Sequence, residues 1–458
     1  MKKKVLKRVP CAKPLVPSSA DTKLKLDAEK IVWFYPTERS YIPELPVLRC
    51  DDGSLWKEGV GFLISRLYDK DFNRSGINVS TVSRKADDLA FYKNGLEYLQ
   101  IDIRADERFK SNRPTYAFLN LLESQVTAGE LADSSACRII GTVVEYHRWE
   151  SFEFKTNRLY PLWEEITRKR RTIDDRGVNV STSYTTTDLA ETISKARLPD
   201  DPNYIMDCGK LKPLTLEQQS IVITALHETK NTEMYLGFLI SLATSARIQT
   251  VFTLRANSFI DEIADTQGFV RVHTGQGTNV DTKRNKKHYL DFPAWLYKKI
   301  HCYVHSERYL NRRKKCKLPK PKQYVFYTTQ GNPYYTSASD EVSEKKDGSA
   351  VRVFMTERLF PTISRLGHSF RFKFHDLRAT YCSNRLEEGM DRVECGETTL
   401  DAVMRGLQDA MGHSDIRTTY RYLDYRNLNP IIGKTNLEWT GKLLMDIIIA
   451  LELKDGLR

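Results

Sequence analysis

Late in the chain, His375-Asp-Leu-Arg378, Gly412-His413 and Tyr422 set out a histidine, an arginine, a second histidine and a tyrosine. These are the groups that metal-free cleavage of a phosphodiester needs. An oxygen nucleophile attacking phosphorus builds negative charge on the non-bridging oxygens, and a guanidinium answers it with paired donors that stay protonated at any physiological pH. Imidazoles move protons or donate to an oxygen. A phenol supplies the attacking oxygen once a base takes its proton, because its ordinary pKa is about 10.

The elements that must hold these groups are legible in the same stretch. A segment turning helical at Asp376 puts His375 and Arg378, three apart, on one face. Gly412 stops the next helical region and His413 follows it. Ser414 or Asp415 then caps a short helix expected over Ile416 to Tyr425, which carries Tyr422. Upstream, Leu236, Leu239, Ile240 and Ala243 give a helical apolar face that breaks at Ser245-Ala246-Arg247 before the pattern resumes over Ile248 to Arg255. Arg247 therefore opens a helix, where a phosphate can be approached. Phe269 to Thr274 and Lys287 to Phe292 alternate as strands around a polar loop holding Thr282, Lys283, Arg284, Asn285, Lys286 and Lys287.

These motifs resemble the tyrosine recombinases, the phage-integrase family, whose signature reads His-x-x-Arg, Gly-His and Thr-Thr-x-x-Tyr, the tyrosine nine residues after the second histidine. Thr418-Thr419-Tyr420-Arg421-Tyr422 reproduces that spacing. The resemblance runs from about Leu211 to Asp424, and more loosely over the preceding helical region. It implies a mostly α fold with a small antiparallel β-sheet, in which a helical SAM-like core-binding domain precedes a mixed α/β catalytic domain. It also implies Arg247 and Arg378 as a phosphate clamp, His375 as base, His413 as donor to a non-bridging oxygen, and Tyr422 as the nucleophile that forms a 3′-phosphotyrosyl link. A hairpin lysine would protonate the leaving 5′-oxygen. Thr-Lys before the second strand points to Lys283, with Lys286 as the alternative, because sequence does not fix hairpin register. Arg247 is preferred to Arg255. The family's Gly-x-Arg-x-x-Glu is altered here, with Ser245 for the glycine and Thr250 for the acid that normally orients the arginine. Taken singly, Tyr422 with Tyr420 and Tyr425 beside it reads as packing, and only the joint spacing argues otherwise.

The net charge of +12 is concentrated: residues 281–323 hold fourteen Lys or Arg against three acids. Arg284, Lys286, Lys287 and the run Arg312, Arg313, Lys314, Lys315 are expected to contact a DNA backbone. The eight cysteines form no Cys-x-x-Cys, which suits a reducing compartment. His301 and His305 stand at helical i, i+4 spacing but lack a third ligand, so neither a metal nor another cofactor is expected. Met-Lys-Lys-Lys at the start has no apolar core behind it, and Leu443 to Leu453 is too short and too charged to span a bilayer. The expected setting is cytoplasmic and nucleoid-associated, without a membrane.

Residues 1–52, rich in Pro and Lys, read as an arm or cap, and 53–167 as the core-binding domain, with stripes such as Val82, Ala86, Leu89, Tyr92, Leu96 and Leu99. Residues 168–210, poor in large apolar side chains, read as a linker. The catalytic domain is placed at 211–430, opened by the capping-box-like Thr215-x-x-Gln218. Asp340 to Ala350 reads as a mobile polar loop, and the long interval holding Glu387 to Thr399 as a lengthened surface loop. In 431–458, Leu437, Leu444, Ile447, Ile448 and Leu451 make an apolar face expected to dock on a neighbouring protomer. The functional expectation is a site-specific recombinase or integrase of a mobile element. It would act as a homo-tetramer on double-stranded DNA with specific recombination sites, aided by accessory DNA-bending proteins. The alternatives are a catalytically silent DNA-binding regulatory relative and a type IB topoisomerase or resolvase-like enzyme.

Overall fold

The computed structural model describes residues 1–10, 13–14, 33–34, 41–68, 79–173, 179–190, 201–207, 209–263, 268–316, 318–319, 322–340, 345–429 and 449. They fall into two compact units, residues 1–199 and 200–458. The helix expected over 431–458 lies, apart from residue 449, outside the described residues. Elsewhere the architecture is mostly helical, and each sheet is a two-stranded antiparallel pair.

The helices Lys57–Tyr68, Val79–Tyr98, Pro114–Thr127 and Asp133–Phe154 form the core of the first unit among the described residues. Val82, Ala86, Leu89, Tyr92 and Leu96 fall three or four apart and are all buried against Phe118, Leu122, Ile140 and Val143. Pro114 opens its helix, where a missing N–H costs nothing. The ends of the expected arm belong to this unit: Lys2–Pro10 pairs antiparallel with Tyr41–Arg49, burying Leu45, Val47 and Leu48. The N-terminal amine donates to Asn94 at 2.7 Å, and Lys3 reaches Asp87 at 2.6 Å. Pro43 and Pro46 broke the alternation that would have marked a strand, yet a strand with one partner tolerates them.

The expected linker holds a long ribbon instead, Glu165–Ile173 against Asn179–Thr187, paired from Glu165↔Thr187 to Ile173↔Asn179. Its described side chains from Thr167 to Lys169 and from Ser181 to Thr185 are exposed. Exposed strand residues of this kind leave no hydrophobic period to read.

In the second unit a capping box starts the helix Leu216–Glu228: Thr215 Oγ1 accepts from the Gln218 N–H, and Gln218 Oε1 accepts from the Thr215 N–H. The next helix, Thr232–Thr244, is apolar on nearly every face and runs through the core among Phe252, Phe374 and Leu377. Its one buried acid, Glu233, is met by Arg308 at 2.8 Å, Arg312 at 3.1 Å and the Tyr303 hydroxyl at 3.0 Å. Such pairing is what lets a carboxylate stay inside. The hairpin Phe269–Thr274 and His288–Pro293 pairs from Thr274↔His288 to Phe269↔Pro293.

Two loop expectations are corrected. Of the loop expected over Asp340 to Ala350, residues 341–344 lie outside the described residues, but Asp340 itself is buried, bonded to Arg255 at 3.1 Å and to the Tyr324 hydroxyl. It is an internal counter-ion, and what looked like surface polarity is the acid that Arg255 requires. The stretch from Glu387 continues the helix Asp376–Glu394 by two turns, with Glu387 buried against Arg426 at 2.9 Å. Charged residues at helical spacing read as loop only while their partner on another helix is unseen.

Candidate active site

Arg378 sits in the first turn of Asp376–Glu394 and is 2% exposed. One guanidinium nitrogen donates to the Ser245 carbonyl at 2.9 Å and another to the Met411 carbonyl. It thus joins the C-terminal ends of Thr232–Thr244 and Leu400–Met411. Both helices end left-handed, at Ser245 with φ 60° and Gly412 with φ 62°, which turns the last carbonyls toward the arginine. Ser245 takes the position a glycine would fill more easily, and its hydroxyl donates to the Ala410 carbonyl at 3.0 Å. The Nε–H of Arg378 is buried without a hydrogen bond and stops 3.8 Å from Asp207 Oδ2.

Asp207 is the residue that sequence reading missed. It is carried on the turn between the short strands Ile205–Met206 and Lys210–Leu211 and is 2% exposed. Its Oδ2 accepts from the Tyr422 hydroxyl at 3.1 Å and from His413 Nε2 at 3.1 Å. A carboxylate only accepts, so His413 Nε2 carries the proton, and Nδ1 faces the Thr419 hydroxyl at 2.9 Å. The His413 and Tyr422 rings stack, their centroids 6.1 Å apart. Tyr422 is only 1% exposed and packs with Cys382, Met404 and Met411. The signal for Asp207 was one acid in a polar stretch, without a motif around it.

Burial presses the Asp207 carboxyl toward the neutral form. The His413 bond, the Arg378 charge and the Tyr422 hydroxyl outweigh that and hold it well below the usual carboxylate range. Burial drives the Tyr422 phenol well above its ordinary value, assisted by Cys382 and the Asp207 charge. His375, at the start of the Arg378 helix, is pushed down to about 4 by burial and then by the Arg378 charge, with Arg247 and Lys283 adding to it. His288 is pushed down to about 4 by burial and Arg378. Both imidazoles are neutral at pH 7.

A cleft of about 240 Å³ gathers Arg247, Lys283, Arg378, His413 and Asp207 on one wall or another. Arg247 is the N-cap of the helix Ile248–Thr253. Arg255, by contrast, is enclosed and bonded to Asn279, Lys322 and Asp340. Thr250, in the place of the expected acid, donates to the Asp281 carbonyl at 2.9 Å. Lys283, Arg284 and Lys286 all border the cleft, so the two lysines remain alternatives. Their loop is folded tightly: a Cβ on Gly275 would lie 2.1 Å from the Lys286 carbonyl oxygen. His288, whose Nε2 is buried without a hydrogen bond, also borders the cleft and was not anticipated.

Lys287 is exposed beside the loop. Arg312, Arg313, Lys314 and Lys315 do not border the cleft. Arg312 meets Glu233 and the Tyr327 carbonyl, and Lys315 the Thr329 carbonyl at 2.8 Å, so part of that run answers acceptors within its own unit. The His301 and His305 rings lie 4.4 Å apart and tilted by 46°, with His305 Nδ1 bonded to the His301 carbonyl. Among the described residues no helix is long and apolar enough to cross a membrane.

Residues 212–428 match the phage integrase family, the tyrosine recombinases. Similarity to solved structures extends across most of the sequence at low identity. The XerH site-specific recombinase bound to a palindromic difH substrate is 11% identical over 82% of this chain and 88% of its own, with a TM-score of 0.45. The Tn1549 transposon integrase with circular intermediate DNA is 13% identical over 78% and 94%, with a TM-score of 0.42. A lambda integrase dimer on a COC′ core site is 15% identical over 80% and 77%, with a TM-score of 0.43. No curated protein matches the sequence.

Proposed function

We propose that the protein is a site-specific DNA recombinase that cuts and rejoins strands through Tyr422, without metal or ATP. The observation that carries this is the convergence of Arg247, Arg378, His413 and Lys283 on one cleft, with the Tyr422 hydroxyl bonded to a carboxylate that His413 shares. In the reaction the Tyr422 oxygen bonds to phosphorus, the bond to the 5′-oxygen breaks, and a 3′-phosphotyrosyl link remains. Arg247 and Arg378 hold the charge on the non-bridging oxygens, and His413 Nε2–H donates to one of them.

His375 takes the phenolic proton. It is neutral because burial and then two arginines depress it, and the phosphate's negative charge offsets those arginines and raises its basicity as DNA binds. Lys283, or Lys286 in its stead, gives a proton to the leaving oxygen. The link conserves the bond energy, so the hydroxyl of another strand reverses it. We extend the reading to an integrase of a mobile element, acting as a tetramer on paired sites with accessory DNA-bending proteins.

The test is a duplex nicked near the cleavage point, so that the short 5′-hydroxyl fragment diffuses away. Wild type accumulates a covalent adduct on a denaturing gel, whereas Tyr422→Phe gives none and melts within about 1.5 kcal/mol of wild type, the loss of one hydrogen bond. Absence of an adduct from both would favour the silent DNA-binding relative. Relaxation of plasmids lacking any special site would favour the topoisomerase.

A further inference from the structure

We infer that Asp207 is an internal stand-in for the scissile phosphate: its carboxylate holds Tyr422, His413 and Arg378 in a closed arrangement that an incoming phosphodiester must displace. The inference rests on the recombinase reading above and concerns how the same site is kept at rest. One oxygen, Asp207 Oδ2, lies 3.1 Å from the Tyr422 hydroxyl, 3.1 Å from His413 Nε2 and 3.8 Å from Arg378 Nε. These are the nucleophile and two of the donors that a phosphate oxygen would engage. A carboxylate and a phosphodiester are both anions that accept from such donors, and like charges a few ångströms apart in a buried site exclude one another.

The fit of the carboxylate is incomplete. Arg378 Nε is buried without a hydrogen bond, so the site holds a donor that Asp207 does not reach and a larger tetrahedral anion can. Asp207 also holds the nucleophile in an unproductive place. Tyr422 does not border the cleft, and its phenol is packed away beneath His413. The part that carries Asp207 is small enough to move as a piece. The strands on either side pair through Ile205↔Leu211 and Met206↔Lys210 alone. Between them the Asp207 N–H donates to the Ile205 and Gly209 carbonyls. Arg421, exposed on the tyrosine's own helix and next to Tyr422, donates to the Met206 carbonyl. That contact ties the turn to the element that must shift.

The experiment compares full-length wild type with Asp207→Asn, which keeps the shape and removes the charge, and Asp207→Glu, which keeps the charge. Inorganic phosphate, titrated by calorimetry, should bind Asp207→Asn at least about tenfold tighter than wild type, with Asp207→Glu near wild type. Nitration by tetranitromethane, mapped by peptide mass spectrometry, should spare Tyr422 in wild type and modify it in Asp207→Asn. On the nicked duplex, Asp207→Asn should form adduct faster at subsaturating DNA and no faster at saturation, a change in KM rather than kcat. A role in holding the fold alone would move none of these in that direction.

Unchanged or weaker phosphate binding, or a Tyr422 that stays unreactive, overturns the inference. So does slower adduct formation by Asp207→Asn at every DNA concentration. If neither protein forms adduct while phosphate binding tightens and Tyr422 becomes reactive, the stand-in holds and the recombinase reading fails. Should Asp207→Asn not fold, Arg421→Ala loosens the same turn without altering the site. It should raise nitration of Tyr422 and tighten phosphate binding by a smaller factor, and no change in either would overturn the inference.

Discussion

Arg378 does two things that cannot be separated by substitution. Its guanidinium ties two helix ends together through the Ser245 and Met411 carbonyls and offers charge to the cleft. A lysine cannot reproduce the planar fork. The histidines permit a cleaner test, through pH. His375 and His288 both fall from an ordinary 6.5 to about 4 on folding, so between those values the unfolded chain binds more protons than the folded one. Stability from this source is complete above pH 6.5 and is lost as pH falls toward 4. Asp207, held far below its ordinary value, stays ionised over that window and adds nothing to the change. Urea unfolding at pH 7 and at pH 4.5 should differ by roughly 3 kcal/mol for the two histidines together, discounted for their partial exposure. Replacing both by Gln should reduce the difference, leaving the share of the buried His147, which is also depressed, and an undiminished slope in that variant would place the titration elsewhere. The motif residues were legible because their spacing is a joint constraint. Asp207 and His288 were not, because a single acid or histidine acquires meaning only from what faces it across the fold.

Among the elements, the turn at Gly412 sets the direction in which His413 leaves the helix Leu400–Met411. Its φ is 62°, and a Cβ there would stand 3.2 Å from the His288 ring. Gly412→Ala should therefore destabilise the protein by about 1–2 kcal/mol for the left-handed backbone, with a further loss from crowding at His288. Asn tolerates that backbone better than Ala, so Gly412→Asn separates the two contributions in a urea melt. Equal losses for Ala and Asn would mean that the ring contact dominates. Helices with one-sided or all-round apolar patterns were legible, with the break after Thr244 and the start at Ile416 where the pattern put them, although the last helix runs to Leu428, past the expected Tyr425. The ribbon Glu165–Ile173 with Asn179–Thr187 was not, since its described side chains from Thr167 to Lys169 and from Ser181 to Thr185 lie exposed and give no apolar period. The extra turns after Glu387 were missed because Arg426, which neutralises that acid, lies on a helix remote in sequence.

On the scale of the whole chain, each of the two units has its own apolar core, around Phe62, Tyr92 and Phe118 in one and Phe238, Phe252 and Phe374 in the other. A fragment of residues 201–458 should unfold in one cooperative transition. A fragment beginning at residue 211, where the sequence pattern alone placed the catalytic domain, lacks Ile205 and Asp207. It leaves the Arg378 charge short of its counter-ion and Leu211 without its strand partner. Breaking a buried ion pair costs about 3–5 kcal/mol, so the shorter fragment should be weaker by about that amount in urea. Indistinguishable midpoints would show that the turn contributes little to the fold. The boundary was hard to read because the strands beside it are two residues long and have no period.

Asp207 precedes residue 212, where likeness to the family begins. A chimera that joined this core at that point to a different leading half would lose Asp207 and, on the inference above, the carboxylate that keeps Tyr422 at rest. Its phenol would then stand ready for whichever phosphodiester first entered the cleft.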